Sequence, residues 1–312
     1  MTESGSGERY VVPPELDGQR LDKAAAKLAS GLSVARVKRA IEGGHVRVDG
    51  RRRAKGATVA AGETITIVLE EVPSPDAPAI ADPDAPLALR FESETVLVAD
   101  KPAGQPTAPL RAGERGTLVN ALLGRFPALA GVGYGPREPG VLHRLDTGTS
   151  GLVIVARTAT AFATLRAALL DGRIEKKYVL VCASEWLADE GTIAHPIANH
   201  PKDQRRVLAC ITPRDVMRYA PRQAATRYRV LRRGAVHALV EVTVEKALRH
   251  QIRAHFASIE HPLVGDALYG SDESMPTKRH ALHASFIGFA GEGVVPALAV
   301  ESPLPPELEA LI

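Results

Sequence analysis

Cysteine is nearly absent from this chain: Cys182 and Cys210 are the only two, and no Cys-x-x-Cys pair exists. Neither a disulfide framework nor a common thiolate zinc site is therefore indicated. His280 and His283 have a spacing that could suit a metal, but no thiol or acidic pair lies beside them in the sequence. Packing or contact with a partner is the expected role of both, and no metal site is expected. Aromatic residues make up only 4% of a chain that is 45% hydrophobic, and at 312 residues it can still bury a substantial core. No apolar run approaches the roughly 20 residues of a membrane-spanning helix. The opening Met1-Thr2-Glu3-Ser4-Gly5-Ser6-Gly7 also lacks the apolar centre of a secretory signal. No membrane partner and a cytoplasmic location are expected.

Net charge is only +3, but it is unevenly distributed. Arg36 to Lys55 contains eight Lys or Arg residues against Glu42 and Asp49, and His200 to Arg233 contains ten against Asp203 and Asp215. A single such run usually marks a solvated surface, whereas two in a near-neutral chain favour a polyanionic partner.

Punctuation divides the chain into a tail (1–8), a small domain (9–70), a linker (71–86) and a large domain (87–312). In the small domain Leu21 to Leu28 reads as a helix. Ser33 is placed to cap a second helix with Val34, Val37 and Ile41 on one face, and Gly43-Gly44 ends it. Val46-Arg47-Val48 and Thr64 to Val68 alternate as strands, with Asp49-Gly50 as a turn. This order of elements, with Arg36, Lys38 and Arg39 on the second helix and Arg51-Arg52-Arg53 past the turn, resembles the S-four-type RNA-binding module of ribosomal proteins. The resemblance implies that these six residues grip RNA phosphates and fix register. Between Glu71 and Pro86 lie five prolines and four acidic residues, which reads as a stiff, extended linker.

The large domain lacks the glycine-rich turns of nucleotide-binding folds. Its most informative stretch is His143-Arg144-Leu145-Asp146-Thr147-Gly148-Thr149-Ser150-Gly151, followed by the apolar run Leu152-Val153-Ile154-Val155-Ala156. The run reads as a buried strand, with Asp146 in a tight loop at its mouth. Asp146 could cap that loop through backbone amides while Arg144 pairs with it at the surface. Held ionised by a cation in a dry pocket, it could instead act as nucleophile or base. Ala159, Phe162, Leu165 and Leu169 fall at helical spacing, and Asp171-Gly172 stops that helix. Lys177 to Val181 then returns as a strand, which places Tyr178 on an element neighbouring that of Asp146. Val236 to Glu245 alternates as another strand, and Leu248, Ile252, Phe256 and Ile259 form a helical stripe with Arg253 one step off it.

The nine-residue loop resembles the signature loop of RluA-type pseudouridine synthases, and further segments agree in order. Lys101-Pro102-Ala103-Gly104, Gly116 to Leu122, Lys177-Tyr178, His250-Gln251-Ile252-Arg253, His261 to Asp266 and Tyr269-Gly270 are similar to that family's other motifs, which together cover roughly residues 88 to 290. The resemblance implies an α+β catalytic domain, a mixed, largely antiparallel sheet flanked by helices with a cleft over its middle. It also implies isomerisation of uridine to pseudouridine in structured RNA without a cofactor. In that chemistry the N1 to ribose bond breaks, the base turns, and it rejoins through C5. Asp146 would be the essential carboxylate, attacking C1′ or taking a proton from C2′. Tyr178 would pack on the uracil and assist C5 proton removal, and Arg253 would keep Asp146 ionised and oriented. Arg144 would fill the space left by the extracted uridine. His143, Thr147, Lys101, His250 and Gln251 would join it in contacting RNA.

Large-subunit ribosomal RNA is the expected substrate, transfer RNA the alternative, and a monomer suffices. Asp146-Thr147-Gly148 also suits an aspartic protease, but no second Asp-Thr-Gly or Asp-Ser-Gly exists. A phosphorylated-aspartate pump would need an Asp-Lys-Thr-Gly order and membrane spans. A catalytically decayed RNA-binding or assembly protein is the remaining alternative. The chain departs from the family at Lys246-Ala247-Leu248, where relatives have Thr-Gly-Arg, and at Ala108, which stands where a His often precedes the proline. Both departures bear on RNA or loop contacts.

Overall fold

The computed structural model describes residues 7–29, 32–54, 56–68, 77–270, 277 and 279–312, and the chain divides into two compact units that part between Ala77 and Pro78. In the first unit, strands β1 (Glu8–Val11), β2 (Val46–Val48) and β3 (Thr64–Ile67) form an antiparallel sheet in the order β1-β3-β2. Helices α1 (Leu21–Leu28) and α2 (Val34–Glu42) share its core through Leu21, Ala24, Val37 and Ile41. Ser33 accepts a hydrogen bond from the Arg36 amide, satisfying a donor that the first turn of α2 would otherwise leave open. Val37 and Ile41 are buried, whereas Val34, in the first turn, remains 40% exposed. Asp49 and Gly50 take φ values of 48° and 75°, the backbone of a tight two-residue hairpin turn. The expected tail is shorter than its residue range: Glu8 already pairs with Ile67 as the first residue of β1.

The second unit is built on a nine-stranded sheet. Its strands are β4 (Leu89–Glu92), β5 (Val96–Lys101), β6 (Ser150–Ala156), β7 (Glu175–Ala183), β8 (Glu190–Ile193), β11 (Thr226–Arg233), β12 (His237–Thr243), β13 (Leu282–Phe289) and β14 (Leu298–Glu301). A separate hairpin is formed by β9 (Ile197–Asn199) and β10 (Val207–Ala209). The sheet order is β4-β5-β6-β13-β7-β12-β11-β8, with β14 on β13, and every pair is antiparallel except β6 with β13. Helices α3 (Leu118–Arg125), α4 (Ala159–Leu170), α5 (Pro213–Tyr219), α6 (Gln251–Ser258) and α7 (Pro306–Glu309) belong to the same unit. All seven residues of β6 are buried. Val153 and Val155 pack with α3 and α6 on one face, while Leu152 and Ile154 pack with α4 on the other. Burial on both faces explains why this strand is a continuous apolar run rather than an alternating one. Among the described residues no helix is long and apolar enough to cross a membrane.

Two expectations are corrected here. Residues 71–76 of the expected linker lie outside the described residues, but 78–86 are part of the large unit. Asn120 donates to the Ile80 carbonyl at 2.7 Å, Gly116 N–H donates to Asp82 at 3.0 Å, and Gln105 donates to the Pro86 carbonyl at 2.9 Å. Proline-rich composition reports an extended backbone, not whether that backbone finds partners. The strands serving Asp146 and Tyr178 are also not neighbours, because β13 inserts between β6 and β7. Ala284 of β13 pairs with both Gly151 and Tyr178. Gly151 (φ 109°) permits this approach: a Cβ there would lie 2.2 Å from the Ala284 oxygen.

Candidate active site

The loop before β6 is clamped at successive residues. Thr107 Oγ1, buried, donates to the Leu145 carbonyl at 2.8 Å and accepts the Leu145 amide at 3.1 Å. The Thr147 carbonyl accepts from Gly104 N–H at 2.8 Å, and Arg279 donates to the Gly148 carbonyl at 3.1 Å. Thr149 shares a 2.7 Å hydrogen bond with the buried His280 ring, and Ser150 a 2.9 Å one with His283. Both histidines thus serve packing, and burial pushes His280 down to about 4. Among the described residues no group of His, Cys, Asp and Glu is arranged to hold a metal.

Within this fixed loop Asp146 faces the N-terminal turn of α6. Arg253 Nη1 donates to Asp146 Oδ2 at 2.7 Å, while Nε and Nη2 of the same guanidinium donate to Asp266 at 2.7 and 2.9 Å. Asp266 is enclosed, whereas the Asp146 side chain keeps 24% of its exposure. Burial disfavours the Arg253 charge, but the hydrogen bonds and charge of Asp266, with the charge of Asp146, outweigh it and push its pKa above the ordinary arginine value. The result is a one-sided grip: Arg253 is held from the rear and presents one nitrogen to the accessible carboxylate. His250, at φ 53°, sets its Nε2 3.6 Å from Asp146 Oδ1 and shares a hydrogen bond with Tyr269 through Nδ1. Desolvation lowers its pKa.

Asp146 opens into a cavity of about 820 Å³ that is also lined by Tyr178, Lys176, Leu248, Arg253 and His280. Tyr178 is buried, and desolvation together with the Asp146 charge pushes its phenol up to about 12. It therefore presents a neutral aromatic wall at physiological pH.

The structure brings Asp146, Tyr178, Arg253 and His250 together but assigns other work to several expected RNA contacts. Lys101 is fully buried and donates to the carbonyls of Pro102, Gln105 and Thr147 at 2.9, 2.7 and 3.4 Å, which makes it an internal clamp rather than a phosphate ligand. Burial lowers it to about 8. Gln251, also buried, donates to the Ala225 carbonyl and Thr226 and accepts the Leu248 amide, so it caps the turn before α6. His143 accepts the Ile154 amide at Nε2, and enclosure lowers it to about 3, so the ring is neutral. Arg144 is exposed and pairs with Glu138 at 2.8 Å, not with Asp146. Thr147 is exposed at the cavity rim. In the small unit Arg53 pairs with Glu63 at 2.6 Å and Lys38 lies 3.7 Å from Asp22. Among the described residues Arg36, Arg39, Arg51 and Arg52 have no ion pair.

Leu248 lies in the turn before α6 and not on the helix. Sequence reasoning named Asp266 within a motif but gave it no role. Its signal was the isolated carboxylate in an otherwise apolar His-Pro-Leu-Val-Gly stretch.

A mixed, largely antiparallel sheet flanked by helices is the architecture the motifs led us to expect, and comparison with known proteins agrees. Residues 95–258 match the RNA pseudouridylate synthase family and residues 19–65 match the S4 domain. The ribosomal large subunit pseudouridine synthase D of Xanthomonas campestris is 35% identical over 97% of this chain and 90% of its own length. That of Pseudomonas aeruginosa is 36% identical over 94% and 91%. An uncharacterized RNA pseudouridine synthase of Bacillus subtilis, YlyB, is 32% identical over 96% and 94%. The solved structure of human RNA pseudouridylate synthase domain containing 1 covers 72% of this chain and 87% of its own at a TM-score of 0.56; with 24% identity it speaks for the fold alone. The chain belongs to the RNA pseudouridylate synthase family and is an RNA pseudouridine synthase with an S4 domain at its N-terminal side.

Proposed function

We propose that this enzyme isomerises uridine in large-subunit ribosomal RNA, with Asp146 as the essential carboxylate and no cofactor. The observation that carries this reading is the 2.7 Å bond from Arg253 to an Asp146 that stays open to the cavity. A carboxylate gripped by a buried guanidinium is fixed and aimed, as either attack on C1′ or removal of the C2′ proton requires. The reaction balances without a redox partner: the N1 to C1′ bond breaks, a C5 to C1′ bond forms, the C5 proton leaves and N1 gains one. Tyr178 provides the flat wall against which the freed uracil turns while it stays bound. Arg144, on the exposed rim, exchanges Glu138 for the space the uridine vacates, with Thr147 and His250 beside it.

Extracting the uridine costs a few kcal/mol, least in loops and unpaired regions. Arg36, Lys38, Arg39, Arg51 and Arg52 of the small unit grip phosphates and offset that cost without reading sequence. The choice of ribosomal RNA rests on relatives named for that substrate that align along nearly the whole chain. Mapping pseudouridines across total RNA with and without the gene tests it. Loss of one or more sites in large-subunit ribosomal RNA is expected. Loss confined to transfer RNA, or no loss, would overturn it.

A further inference from the structure

The second unit contains a buried lysine that the reaction above does not use. Lys176 is only 4% exposed, yet among the described residues its ammonium has neither a carboxylate nor a hydrogen-bond acceptor. Its neighbours in sequence and type make the contrast. Lys101 is equally buried but saturated by three carbonyls. Lys177, on the opposite face of β7, lies 3.4 Å from Glu175 and sits over the Phe286 ring. Lys176 lies two residues before Tyr178 on the same strand face, roughly 6 to 7 Å along it, and lines the same cavity as Asp146.

An unpaired ammonium on a side chain this enclosed is costly, and leucine or methionine would fill the same space without that cost. Desolvation alone brings Lys176 down to about 8, so the group is still largely charged at neutral pH. The adjacent His143 ring is neutral and offers no anion. The two carboxylates that line this cavity are both taken, Asp146 by Arg253 and Glu245 by Arg227. The missing counter-charge must then come from what enters, and the group that is fully ionised in RNA is the phosphodiester.

We propose that Lys176 binds a non-bridging oxygen of the phosphodiester next to the target uridine, fixing the nucleotide so that its sugar meets Asp146 and its base meets Tyr178. This rests on reading the cavity as the uridine site. Lys176 is a positioning residue: it holds the substrate's backbone and takes no part in bond making.

The test uses the full chain and a large-subunit ribosomal RNA transcript tritiated at uracil C5, with tritium release as the rate and RNA binding measured in parallel across salt concentrations. Lys176→Met is expected to raise KM at least tenfold, with the loss falling on KM more than on kcat. It should also flatten the plot of log affinity against log salt by about 0.7 to 0.9, the share of one phosphate. Lys176→Arg should recover most of both. The melting temperature of Lys176→Met should equal or exceed that of the parent, because an unpaired buried charge has been removed. An unchanged KM and salt slope in Lys176→Met would overturn the proposal, as would a lower melting temperature with a loss that Lys176→Arg does not recover. If the parent itself releases no tritium, the substrate reading above fails instead, and affinity and salt slope of the same variants still decide the role of Lys176.

Discussion

Arg253 donates to Asp266 through two nitrogens and to Asp146 through a third, at 2.7, 2.9 and 2.7 Å, so that one guanidinium joins a buried carboxylate to an accessible one. The Asp266 side makes this more than a surface ion pair. A long side chain held at both Nε and Nη2 has little rotamer freedom left to lose, and its remaining nitrogen, Nη1, points at Asp146, where the reaction needs a cation.

Asp266→Asn keeps the shape but removes the rear counter-charge. It should destabilise the fold by about 3 kcal/mol, as breaking buried pairs does, and lower kcat because Arg253 is no longer aimed. Denaturant unfolding and single-turnover kinetics on the same sample check both effects. Unchanged stability would show that Arg253 does not need this partner.

Tyr178→Phe separates the ring from the hydroxyl. With its pKa pushed up to about 12, the phenol is almost entirely protonated at pH 7 and cannot supply a standing phenolate base. The phenylalanine variant should therefore bind RNA as the parent does and lose less than about a hundredfold in kcat, whereas Tyr178→Ala should lose the platform and affinity with it. Equal loss in the two variants would mean that the hydroxyl, not the ring, is what matters.

Acid should unfold the large unit in a defined window. Burial holds His143 at about 3 and His255 and His280 at about 4, all below the ordinary value near 6.5. The unfolded chain therefore takes up these protons first, so stability is full above about pH 6.5 and is lost as pH falls toward 4. Three such rings give a slope of up to about 4 kcal/mol per pH unit, before any carboxylate is counted. Unfolding midpoints at pH 7, 6 and 5 read it directly, and a flat profile would contradict the buried, neutral assignment.

Leu248 stands where the family's pattern places an arginine. It is half-buried in the turn before α6, packs beside Tyr269 and lines the cavity, so a guanidinium there can reach open space. Leu248→Arg should tighten RNA binding by one charge-assisted contact, on the order of 1 kcal/mol, at little cost in melting temperature. A large drop in melting temperature would make Leu248 a core residue instead.

Much of this site was legible in sequence because its chemistry is local. The Asp146 loop announces itself through residues that cannot continue a helix, followed by a strand buried on both faces. Tyr178 and Arg253 follow from motifs in fixed order. What could not be read were contacts between segments distant in the chain. Nothing near Lys101 reveals that its ammonium is used up by three carbonyls, or near Gln251 that its amide caps a turn. Both look like surface polar residues until the fold encloses them. The insertion of β13 between β6 and β7 was hidden for the same reason: only the space above Gly151 records it, and a glycine at the start of a strand has many ordinary explanations. Proline content misread residues 78–86, since an extended backbone serves as a packed strap as readily as a linker.

The central claim is that Asp146 carries the chemistry while its neighbours carry the binding. Asp146→Asn is nearly isosteric and removes only the charge facing Arg253, so tritium release from C5-labelled ribosomal RNA should fall below detection while affinity for the same RNA changes less than threefold. Tritium release within tenfold of the parent would contradict the account.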